Sequence, residues 1–164
     1  MNKVKHFLPE ASLYQLYCSF ILPYLSYGIL LWGNATKTYI TKLFRIQKRA
    51  IRIVSNSSYL CHTKPLFEKY KILSIFELYD KELGIFMYKY KNGLLPLSFD
   101  HAFTELQSVH NYDTRNKTNF RYDIHKIKSV FTTGPKLWNN LPKSIKTAKS
   151  LNSFKTAIIP QKKK

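Results

Sequence analysis

Residues 38–58 read TYITKLFRIQKRAIRIVSNSS. At 100° per residue, Ile40, Leu43, Ile46, Ala50, Ile53 and Val54 fall on one face, and Lys42, Arg45, Lys48, Arg49 and Arg52 gather within an arc of about 120° on the other. A 3.6-residue period held over four turns predicts an amphipathic helix rather than a strand. Behind it, SNSSYLCHTK (55–64) is a polar break rich in capping and turn residues, and Thr63-Lys64-Pro65 is suited to open a short next helix.

Working outward, IFELYDKELGIFMYKYKNG (75–93) carries the same period, with Ile75, Phe76, Tyr79, Leu83, Phe86, Met87 and Tyr90 as the expected core stripe. Glu77 and Lys81 are spaced for an i,i+4 pair, and Asn92-Gly93 with Pro96 beyond them closes the helix. On the other side, LYQLYCSFILPYLSYGILLWG (13–33) lies in a window, Ala11 to Thr36, without a charged residue. A helix apolar around its whole circumference belongs in a core or in a bilayer. Gln15, Ser19, Pro23, Ser26, Gly28 and four tyrosines dilute this one, which favours a core helix kinked at Pro23. Full burial of such a helix in so short a chain would require a further domain. Gly33-Asn34-Ala35-Thr36 is the turn into the basic helix.

After Leu94 apolar residues become sparse and aperiodic. Phe120, Tyr122 and Ile124 alternate as in one brief strand, Pro135 and Pro142 are each placed to open a helical turn, and Ser150 is placed to cap a last helix through Phe154. The expected fold is all-α: a lead-in over 1–10, a small helical bundle over 11–93, and an irregular basic C-terminal extension with short helical turns over 94–164.

The chain has 164 residues, the size of one domain, and its 12 Tyr and 11 Phe set it apart from disordered sequences. Twenty-seven Lys and Arg oppose nine Asp and Glu, a net charge of +18 that points to a polyanionic partner, nucleic acid or an anionic membrane surface. No acidic residue occurs between Glu10 and Glu68, so nothing nearby in sequence neutralises the 42–52 stripe. Cys18 and Cys61 form no CxxC and no metal-ligand spacing, which argues against a disulfide scaffold and a zinc site and fits an intracellular compartment, nuclear or cytoplasmic. GxSxG, HExxH and GxxxxGK are absent, as are paired aspartates for two metals, and His6, His62, His101, His110 and His125 are scattered. No catalytic site and no cofactor is expected.

Four strings occur in order: LYCSFILPYLSYGILLWGNATKTYITKLFRIQKRAIRIV (16–54), HTKPLFEKYKILSIFELYDKELGIFMYKYKNGLLP (62–96), HNYDTRNK (110–117) and GPKLWNNLPKSIKTAKSLNSFK (134–155). Together they resemble the C-terminal, thumb and post-thumb region of reverse transcriptases from non-LTR (LINE-type) retrotransposons of the jockey kind. The resemblance implies a non-catalytic part of an RNA-directed DNA polymerase that grips an RNA/DNA template-primer duplex, with palm and fingers domains as the missing partner. It makes Lys42, Arg45, Lys48, Arg49 and Arg52 candidate phosphate contacts. Tyr112, Arg115, Gly134, Pro135, Trp138 and Asn139 match the family pattern without a chemical role to carry over. The sequence departs from the family in the short spacer TNFRYDIHKIKSVFTT (118–133), and a methionine just ahead of the thumb-like part is what a truncated, even inert, copy would carry. The alternative from another class is a small membrane-associated protein anchored by residues 13–32, its basic helix on anionic lipid.

Overall fold

A computed structural model describes residues 5–106, 119–122 and 129–159, and the described residues are all-α as expected. The chain divides into two compact units, Met1–Tyr79 and Asp80–Lys164, with the boundary inside one helix.

In the first unit the elements are α1 (Glu10–Leu16), a π-helical turn (Tyr17–Ile21), α2 (Leu22–Ser26), α3 (Ile29–Trp32), α4 (Lys37–Val54), α5 (Lys64–Lys69) and the start of α6 (Ile75–Lys91). The apolar helix expected over 13–33 therefore ends at Ser26, with a π-helical turn inside it, and a separate α3 follows Gly28. Pro23 has no N–H to donate to the Ser19 carbonyl, and the widened π turn stands directly before it. Gly28, at φ +61°, then reverses the backbone ahead of α3, a conformation that favours glycine. Nor is this segment buried all round. Leu13, Tyr17 and Ile29 enter the core, while Phe20, Tyr24, Tyr27 and Leu31 are exposed. No helix among the described residues is long and apolar enough to cross a membrane.

α4 packs through Ile40, Ala50, Ile51 and Val54 against Leu13, Tyr17 and Ile29 of the first segments and Ile72, Ile75 and Leu78. One expected core position is corrected: Ile46 is 63% exposed, and the fully buried neighbour is Gln47. Its Nε2 donates to Tyr17 Oη (3.1 Å) and to the Leu73 carbonyl (2.9 Å), and its Oε1 accepts from the Ile75 N–H (3.0 Å). A buried amide is tolerated because its donors and acceptor are all used.

α6 begins with a reciprocal cap. Glu77 turns back to accept from the backbone N–H and hydroxyl of Ser74, each at 2.7 Å, instead of reaching forward to Lys81. The helix closes as expected at Gly93 (φ +64°), with the Leu94 N–H bonded to the Lys89 carbonyl. Its buried surface is wider than the expected stripe, since Leu78, Ile85 and Tyr88 are buried and Phe76 is exposed with its edge on Phe44.

The second unit adds α7 (Val130–Asn140), α8 (Lys143–Lys146) and α9 (Leu151–Ala157) to the rest of α6. Ile85, Met87, Tyr88, Phe103, Phe120, Trp138 and Phe154 form its core, with Tyr88 stacked on Phe154 at 4.5 Å between ring centres. Pro142 and Ser150 stand at the N-caps of α8 and α9 as expected. Pro135 does not open a turn: it is buried inside α7, which starts five residues earlier behind Ser129, whose N–H bonds the Thr132 hydroxyl. The brief strand is reduced to one bridge between Glu105 and Phe120, and Ile124 lies outside the described residues.

Candidate nucleic-acid interface

α4 presents the basic stripe on the side opposite Gln47. Thr36 stands at its N-cap position without a side-chain capping bond, and eighteen residues without Gly or Pro carry it for about 27 Å. Lys42 to Arg52 occupies about 15 Å of axis, a mean spacing of roughly 4 Å between its five cations, comparable with the one phosphate per about 3.4 Å of a single nucleic-acid strand in a duplex. Five pairs of these cations stand at i,i+3 or i,i+4, so their mutual repulsion costs the isolated helix about 1–2.5 kcal/mol at low salt. Among the described residues none of the five forms an ion pair.

Arg45, Lys48, Arg49 and Arg52 converge on one groove of about 360 Å3, completed by Ile46 and Tyr59. Lys42 lies outside this lining, its ammonium 5.5 Å from the Tyr39 ring centre. Lys48 is half-buried with its Nζ 4.4 Å from the centre of the Phe44 ring. Arg52 is held at two points: Nε donates to the Cys61 carbonyl at 2.8 Å, and the guanidinium carbon stands 5.7 Å from the Tyr59 ring centre. These contacts restrict long side chains that would otherwise lose rotamer freedom on binding an anion. Arg45 and Arg49 line the groove as exposed residues. The groove can therefore hold phosphate oxygens by charge-assisted hydrogen bonds, and among the described residues its lining has no carboxylate or histidine.

Two groove residues escaped the helical pattern. Ile46 was expected in the core, and Tyr59 sits in the polar loop after α4, where its lone aromatic ring among serines was the available signal. No group of three potential metal ligands occurs among the described residues.

Asn139, Trp138 and Gly134 have structural roles in the second unit. Asn139 acts as a strand substitute for Phe120: its Oδ1 accepts from the Phe120 N–H (2.9 Å) and its Nδ2 donates to the Phe120 carbonyl (2.8 Å). Trp138 is buried between Phe120 and Phe154. A Cβ on Gly134 would stand 2.8 Å from Met87 Sδ, so glycine permits the close approach of α7 to α6. Tyr112 and Arg115 lie outside the described residues. In comparison with known proteins, the chain matches no family model, no curated protein and no solved structure.

Proposed function

We propose that the protein binds nucleic-acid duplex through its backbone phosphates, with little regard to sequence, as a non-catalytic C-terminal part of a retrotransposon RNA-directed DNA polymerase. The observation that carries the binding is the groove on α4, in which Arg45, Lys48, Arg49 and Arg52 meet without an ion-pair partner among the described residues. An external polyanion relieves their repulsion, and release of its condensed counterions supplies the driving force. Lys42 extends the same stripe by one turn. The polymerase context rests on the sequence resemblance, and a palm or fingers domain as partner belongs to the same proposal.

Fluorescence anisotropy against a labelled RNA/DNA hybrid and an unrelated duplex, repeated at several salt concentrations, tests it. Both probes are expected to bind comparably, with affinity falling steeply as salt rises. Replacing Arg45, Arg49 and Arg52 by Gln should flatten the plot of log K against log salt by up to about 3 units, at roughly 0.9 per lost contact. An unchanged slope removes α4 from the binding face.

A further inference from the structure

Tyr59 lines the groove and holds the Arg52 guanidinium, yet that contact leaves the residue 76% exposed. The ring contributes little to the core at that exposure, and neighbouring Leu60 is 86% exposed as well. Its position is nevertheless built. The Ser57 N–H bonds the Arg52 carbonyl (3.0 Å), the Cys61 N–H bonds the Ser58 carbonyl (3.1 Å), and the Cys61 carbonyl holds Arg52 Nε. The loop is thus tied to the last turn of α4 on both sides of Tyr59, and the Arg52 guanidinium backs the ring.

A base inside a duplex has both faces covered by its stacking neighbours, so an exposed tyrosine can stack only on a base that is unpaired or at an end. The groove of about 360 Å3 is also large enough to take one base-sized group beside the phosphates, within the range of about 300–1,000 Å3 that suits a small ligand. We propose that the groove seats an unpaired nucleotide where single strand meets duplex: Tyr59 stacks on its base, and the arginines and Lys48 hold the flanking phosphates. This rests on the phosphate-binding reading above and names the form of nucleic acid that the same site selects.

The test uses the full chain with two probes at fixed salt, a blunt duplex and the same duplex carrying a single-stranded overhang with 2-aminopurine next to the junction. Wild type is expected to prefer the overhang and to quench 2-aminopurine on binding. Tyr59→Leu should lower the overhang-to-blunt affinity ratio by about 5- to 150-fold and abolish the quench, Tyr59→Phe should preserve both, and Arg45→Gln should weaken both probes together. If Tyr59→Leu leaves the ratio and the quench intact while Arg45→Gln still weakens both probes, the stacking proposal is overturned and phosphate binding stands. A loss of both probes in equal proportion on Tyr59→Leu overturns it too, since Tyr59 then only positions Arg52. Failure of wild type to bind either probe at low salt overturns both.

Discussion

Replacing Gln47 by Met tests how the basic helix is held. Methionine nearly matches glutamine in length and volume, so the change leaves no large cavity, but it strands three groups: Tyr17 Oη, the Leu73 carbonyl and the Ile75 N–H. Each bond is worth about 1 kcal/mol net, and a buried group left without a partner costs about 1–3 kcal/mol. Three stranded groups near the lower end of that range cost about 4 kcal/mol together, and greater burial of apolar surface by Met offsets about 1 kcal/mol, so the first unit should lose about 3 kcal/mol. Hydrogen exchange by mass spectrometry reads this locally, which suits a chain with two compact units. Protection of the α4 amides around Ala50, Ile51 and Val54 should fall about 150-fold, at roughly 1.4 kcal/mol per factor of ten. Tyr17→Phe supplies the control: it should destabilise the wild type by about 1 kcal/mol, yet be neutral or stabilising beside Gln47→Met, where the hydroxyl has already lost its partner. A fall in protection under about fivefold would refute the reasoning. So would strict additivity of the two substitutions.

In the second unit, Asn139→Ala removes both bonds to the buried Phe120 backbone and should cost about 2–4 kcal/mol. A shift in the urea midpoint of Trp138 emission, in a Trp32→Phe background, measures it. Burial raises the Tyr17 pKa above its ordinary value, against a smaller opposing effect of the Gln47 bond. The folded state then binds the phenolic proton more tightly than the unfolded one, so this contribution to stability is complete below about pH 10 and lost as pH rises through the folded pKa. Alkaline unfolding followed by α4 hydrogen exchange or circular dichroism should begin above pH 10, and Tyr17→Phe should make that limb shallower. An unchanged alkaline limb in Tyr17→Phe would remove Tyr17 as its source.

Local chemistry made much of this protein legible from sequence. The period of residues 38–54 and 75–91, the cap at Ser150, the closing glycine at position 93 and the basic arc on α4 all follow from neighbours within about four residues, the range over which a helix couples side chains. The misplacement of Ile46, with Gln47 buried beside it, has a physical cause. Hydropathy ranks side chains by transfer from water, whereas Gln47 is buried because partners at positions 17, 73 and 75 satisfy its amide. Glu77 was open to two partners at helical spacing, and the orphan N–H groups of the helix start won over Lys81.

By itself, then, the sequence determined the helical class, the positions of the long helices and the unneutralised charge along one of them, because periodicity, capping and charge are properties of adjacent residues. Only the tertiary structure decided that Tyr59 returns from a loop to Arg52, that Asn139 stands in for a strand beside Phe120, and that the apolar run over 13–33 divides and leaves one side exposed. Those outcomes depend on how loops and turns close and on which distant groups satisfy one another. Helical period and residue propensity do not encode either.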